Sequence, residues 1–257
     1  MHERGRENRS PEDVAELPNT RHYKYYDLIM AVFVTVLLCS NLIGPGKTCG
    51  IRLPFSLPGI GDFLTFGAGN LFFPISYIFG DVLTEVYGYA RTRKVIWAGF
   101  GAMIFATLMG LFVIHFPADP NEPFNKVIQP ALEVVFGNTW RIVLGSICAF
   151  WAGDFVNSYV MAKMKIMTRG KALWTRTIGS TAVGQLVDSA LFYPIAFAGV
   201  WAPDTMVKVI VFNWTFKVTV EVVFTPITYA IIGFLKRAED EDYYDTKTNF
   251  TPFSLSD

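Results

Sequence analysis

The stretch from Gly67 to His115, GAGNLFFPISYIFGDVLTEVYGYARTRKVIWAGFGAMIFATLMGLFVIH, decides the fold. It contains two apolar runs, roughly 67–88 and 95–115, separated by a connector bearing Arg91, Arg93 and Lys94. Each run is near or above the ~20 residues a helix needs to cross a ~30 Å hydrocarbon core. Two crossings joined by a basic turn predict a helical hairpin in a bilayer. The first run nevertheless carries Asp81 and Glu85, which lipid does not solvate.

Working outward, further apolar runs cover roughly 28–45, 142–162, 178–200 and 206–235. Trp201, Ala202, Pro203 and Asp204 mark a turn between the last two. With 257 residues, 52% hydrophobic and only 17% charged, the chain has too little polar surface for a soluble globule of this size. The expectation is an all-α integral membrane protein of six transmembrane helices. Residues 1–26 read as a disordered tail, 27–237 as the six-helix domain, and 238–257 as an acidic tail whose stretch from Glu239 to Asp245 is not expected to pack.

Lys and Arg set the orientation. Five lie in the N-terminal tail, three before span three, five after span four (Lys163, Lys165, Arg169, Lys171, Arg176), and Lys236, Arg237 and Lys247 at the C-terminus. The opposite side has Lys47, Arg52 and Lys126. The excess marks the cytoplasmic face, and an even number of spans returns both termini there. Net charge is zero, which gives no reason to expect a nucleic-acid partner. Cys39, Cys49 and Cys148 offer neither a disulfide framework nor a metal-ligand spacing, so no cofactor is expected.

The informative residues are charges inside spans: Asp81 and Glu85 in span two, Asp154 in span four, Asp188 in span five, Lys217 and Glu221 in span six. Such a group costs roughly 2.5–3.5 kcal/mol near the bilayer centre. Helical spacing puts Pro74, Tyr77, Asp81 and Glu85 on one stripe, and Asn213, Lys217, Glu221 and Thr225 on another. Asp154 with Asn157, and Gln185 with Asp188, are i, i+3 neighbours. Polar faces on four helices must meet each other or water, which predicts a polar cavity between spans two, four, five and six.

Plainer readings compete. Lys217 and Glu221 are i, i+4 and could neutralise each other, Glu85 could pair with Arg91, and Trp151 and Trp214 are more often packing residues than ligand platforms. Five acids against one base still leave a surplus for protons, a cation or a donor-rich ligand to satisfy. Pro74, Pro194 and Pro226 interrupt spans two, five and six, and broken helices beside buried polar groups are where transporters build substrate sites.

The string FFPISYIFGDVLTEVYGYARTRKVIW, Phe72 to Trp97, resembles the vitamin uptake transporter family now associated with queuosine precursors. The likeness extends more loosely over all six spans, including Asn41, the region of Gln185 and Asp188, and the stripe of Asn213, Lys217 and Glu221. The resemblance implies a multi-pass bacterial inner-membrane importer of 7-deazaguanine bases that feeds tRNA modification. It also implies a small-molecule substrate and is compatible with a homo-oligomer.

The chemistry fits. A guanine-like base presents N1–H and an exocyclic amine side by side for a carboxylate, its carbonyl needs a donor, and its flat face needs an aromatic ring. Candidate binding residues are Asp81, Glu85, Asp154, Asp188, Lys217, Glu221, Asn213, Gln185 and Asn157, with Tyr77, Trp151 and Trp214 for stacking.

Other classes fit less well. An intramembrane aspartyl protease would need glycine where Ile78 stands, and the histidines, His2, His22 and His115, lie outside the expected cavity. No enzyme is expected. A substrate-binding subunit of an energy-coupling vitamin transporter matches in size, but Ala31 is followed four positions later by Thr35 rather than Ala.

Overall fold

The computed structural model describes residues 22–43, 47–57, 61–137 and 140–254, and the expected N-terminal tail up to residue 21 lies outside them. Helix α1 is Tyr26–Leu42; it buries Ile29, Phe33 and Leu37, an i, i+4, i+8 stripe. Strands β1 (Thr48–Leu57) and β2 (Gly61–Gly67) follow as an antiparallel hairpin pairing Thr48 with Gly67 and Arg52 with Phe63. Sequence alone gave this region as an outer loop. The hairpin has little alternation to announce it, and Ile51 and Phe55 are exposed.

Helix α2 (Phe73–Val82) runs directly into a π-helical turn, Leu83–Tyr87. Pro74 does not interrupt the span as expected: it occupies the first turn of α2, where no N–H is needed. The irregularity comes from the π turn instead, and Val82 through Tyr87 are almost fully buried. Gly88 ends the turn at φ 84°, and a Cβ there would run into the ring of Tyr243, so both backbone and space require glycine.

Helix α3 is Tyr89–His115 and α4 is Asn125–Phe136, a helix in the 116–139 connector that the apolar runs do not mark. Helix α5 (Trp140–Met167), α6 (Leu173–Phe197) and α7 (Pro203–Glu239) complete the bundle. Pro194 and Pro226 lie inside α6 and α7 as expected. Arg141 donates to the carbonyls of Ile195 and Ala198, satisfying acceptors that the end of α6 leaves open. Helices α5 and α6 cross in close contact. A Cβ on Gly184 would lie 2.9 Å from the Gly153 carbonyl oxygen and 2.8 Å from the Asn157 Cβ.

Among the described residues, α3 and α7 are each long and apolar enough to cross a membrane. Among the described residues the regular structure is helical apart from one hairpin, with segments suited to a bilayer.

The C-terminal stretch departs from expectation, because residues 240–254 fold back onto α3 and α5. Arg93 donates to the carbonyls of Asn249 and Thr251, and Trp97 to that of Pro252. The Tyr89 N–H bonds the buried Asp245 carboxylate. An acidic composition suggested a solvated tail, but here the acids find cations and backbone donors on the helices, which removes the penalty of burying them.

Candidate functional site

Asn157 on α5 donates its side-chain amide to Asp81 Oδ1 across 3.3 Å, tying α5 to α2. On the far side of α6, Lys217 donates to Gln185 Oε1 at 2.8 Å and pairs with Asp188 at 2.7 Å. Gln185 is thereby oriented: its oxygen is occupied by the ammonium, which leaves the NH2 end for a ligand. Asp154, Asn157, Ser158 and Gln185 border one pocket together with Phe33 and Thr92. Glycines 153 and 184 bring the backbones close enough for Asp154, Asn157 and Gln185 to reach one point.

This pocket measures about 10 Å³, roughly the room of one water molecule. Its walls come from α1, α2, α3, α5 and α6. Helix α7 contributes no wall among the described residues, and its Lys217 acts from behind Gln185. Asp81 lies just behind the wall, fully buried, with Oδ2 unpartnered.

Glu85 does not join the pocket. Arg176 binds both of its oxygens at 2.7 Å, Lys236 lies 2.5 Å from Oε1, and Lys165 3.5 Å. Asp242 bridges the same two lysines. The expected shared stripe of Asp81 and Glu85 assumes α-helical register. The π turn resets it, sending Glu85 to the cations of α5, α6 and α7 and leaving Asp81 to Asn157. Arg91, the partner considered for Glu85, instead lies over the rings of Tyr23 and Tyr243.

Three more candidates are placed elsewhere. Asn213 donates to the Val209 carbonyl of its own helix, Trp214 donates to the Ala182 carbonyl on α6, and Trp151 packs with Trp97, Phe155 and Phe253. The side chain of Tyr77 lies outside the described residues. Phe33 is the aromatic ring the pocket does contain, and sequence reasoning missed it because it sits in a uniformly apolar span. Ser158 was within reach of inference, one turn beyond Asp154. Lys165 and Arg176 were counted as loop charges, whereas both are buried on helices.

One carboxylate, two amides and an aromatic wall can read the hydrogen-bonding edge of a flat heterocycle. Among the described residues, no group of three or more His, Cys, Asp and Glu could hold a metal ion. Apolar helices enclosing buried polar groups are the arrangement a membrane transporter uses.

A sequence profile of the family described as "Putative vitamin uptake transporter" matches residues 67–231, and the chain belongs to that family. A "Probable queuosine precursor transporter" from Bacillus subtilis (strain 168) is 34% identical over 169 residues, 65% of this chain and 72% of that protein. A second protein of that description, from Haemophilus influenzae (strain ATCC 51907 / DSM 11121 / KW20 / Rd), is 24% identical over 131 residues, 50% of this chain and 51% of the other. No solved structure matches. The family and both relatives are described as transporters, so this protein is a transporter and not an enzyme.

Proposed function

We propose that the protein imports 7-deazaguanine bases, the cyano or aminomethyl queuosine precursors or queuine, across a bacterial inner membrane to supply tRNA modification. The observation that carries this reading is the 34% identity to a protein described as a probable queuosine precursor transporter over 72% of its length. The pocket chemistry supports it. Asp154 accepts N1–H and the exocyclic amine as a pair, the amides of Asn157 and Gln185 serve the carbonyl, and Phe33 covers the face. Asp188 and Lys217 act at one remove by holding Gln185.

The chain crosses the membrane six times in this reading, with the Glu85 end in the cytoplasm as the distribution of Lys and Arg requires. A pocket of about 10 Å³ is too small for a bicyclic base, so it represents a closed state, and helix movement admits substrate. Reporter fusions after Lys94, Arg169 and Arg237 report cytoplasm, and fusions at Pro120 and Pro203 the outside.

The deciding experiment expresses the chain alone in a strain that cannot make the precursor. Queuosine returns to tRNA at low external precursor, and riboflavin or biotin does not compete. Recovery only with an added ATPase module supports the energy-coupling subunit instead.

A further inference from the structure

Resting on the transport reading above, we propose that Asp81 on α2 and Glu221 on α7 form the binding site of a coupling proton. Asp81 is 0% exposed and Glu221 1%. Asp81 Oδ2, Glu221 Oε1 and the Asn157 Oδ1 are each buried without a hydrogen-bond partner. These are three acceptors, and the donor they lack is what a proton on either carboxyl would provide.

The surrounding charges favour this assignment. Burial weighs most on the Asp81 carboxyl, Asn157 donates to it, and the charged groups that act on it, Glu221 on α7, Glu85 on the π turn and Asp154 on α5, are all acids. Among the described residues, Lys217 pairs with Asp188 and Gln185, and Arg176, Lys165 and Lys236 with Glu85. Helices α2 and α7 pack against each other, and a buried carboxyl near a second acid takes up a proton more readily than one alone. A metal cation suits the place less well. It needs several oxygens at fixed distance, and the described residues contain no suitable group of three.

Asn157 links this pair to the substrate pocket. Its NH2 is held by Asp81 while the same side chain borders the pocket. Protonating Asp81 weakens that hold and frees the amide, so proton and substrate act on one side chain. In the cycle a proton from the outer medium adds to a carboxylate oxygen, moves inward with the substrate, and dissociates into the cytoplasm, restoring the carboxylate. Each turnover moves the substrate's own charge plus one, so the cyano base carries one positive charge across and the aminomethyl base, an ammonium at neutral pH, two.

The test uses the purified full chain in liposomes containing a trapped pH-sensitive dye, with labelled aminomethyl precursor and potassium-clamped voltage. An acidic exterior should drive accumulation, and adding precursor should acidify the lumen. Asp81→Asn and Glu221→Gln should lower the accumulation ratio to one and abolish the acidification, with exchange of labelled for unlabelled precursor still measurable in Glu221→Gln. Accumulation that follows a sodium gradient, or acid-driven accumulation surviving in both variants, overturns the proposal.

A substrate-free arm separates this outcome from failure of the proposed substrate. Infrared acid–base difference spectra of the purified protein should show a protonated-carboxyl band that each variant removes. If that band behaves so but no 7-deazaguanine base is transported, the substrate assignment fails and the proton site stands. An identical band in wild type and both variants rejects the proton site.

Discussion

Arg176 holds Glu85 through two parallel hydrogen bonds, Nε to Oε2 and Nη2 to Oε1, each 2.7 Å, with both side chains buried. This bidentate geometry joins α6 to the π turn after α2 in a single orientation. Lys236 extends the contact to α7 and Lys165 to α5, and Asp242 closes the group from the C-terminal segment. Four helical elements and the chain end are thus fastened at one point, at the end of the bundle opposite the β-hairpin.

Glu85→Gln should therefore act on folding. The variant leaves Arg176 and Lys165 buried without their carboxylate, and breaking a buried pair this way costs about 3–5 kcal/mol. Membrane abundance and the melting temperature in detergent should both fall. The KM for precursor in the surviving protein should stay near wild type. Normal abundance with a raised KM would return Glu85 to the substrate site.

Asp242→Asn should release the C-terminal segment. Burial alone would push the Asp242 carboxyl up, but the hydrogen bonds and charges of Lys165 and Lys236 outweigh it and hold the group below the usual carboxylate range. A depressed acid contributes its full stabilisation above its unfolded pKa of about 3.9 and loses it only as pH falls through the lower folded value. Asp245 runs the other way: burial pushes its carboxyl up, so acidification relieves a cost there. Docking of residues 240–254 should consequently not loosen as pH falls from about 8 to about 5. Hydrogen exchange of that segment, corrected for intrinsic rates, measures it. Several-fold faster exchange is expected in the variant, and loosening of the wild type within that range would contradict the ion-pair account.

The sequence carried the helices well, because hydrophobic runs of membrane length are long-range signals that tolerate local noise. Spans three to six match α3, α5, α6 and α7 within a few residues at most ends. What it hid depended on geometry finer than a heptad count. Nothing in LTEVY announces a π turn, and that turn decides that Asp81 and Glu85 part company. Lys165 and Arg176 sit beside a short connector, so counting charges assigned them to water, although the helices extend far enough to bury both. Phe33 carried no polar signal at all. Asp154, Asn157 and Gln185 were legible because polar residues at helical spacing in apolar spans have few other places to go.

The α5–α6 crossing should tolerate almost no added volume. In Gly184→Ala the new methyl falls 2.8 Å from the Asn157 Cβ and 2.9 Å from the Gly153 oxygen, a backbone atom that cannot step aside. Overpacking of this kind costs about 1–3 kcal/mol and would spread Asn157 and Gln185 apart. Gly233→Ala, with nothing within 4 Å of the added carbon, is the matched control on α7. Melting temperature and precursor affinity should both drop in the first and neither in the second. Equal behaviour of the pair would mean that the crossing is looser than described.

Asp154→Asn should separate a reading carboxylate from a structural one. Asp154 borders the pocket on α5, one turn from Ser158, so its oxygens are available to a ligand. An amide in its place sets a donor against one of the base's paired donors. The unmade bond costs on the order of 1–3 kcal/mol, which corresponds to several-fold to about a hundredfold weaker binding. Folding should hardly suffer, because a neutral amide is cheaper to bury than a carboxylate. Glu85→Gln predicts the reverse, lost abundance with retained affinity, and so serves as the contrasting case in the same membranes. Labelled-precursor binding normalised to folded protein distinguishes them. Full affinity in Asp154→Asn would remove α5 from the substrate-reading face and shift that role to Asn157 and Gln185.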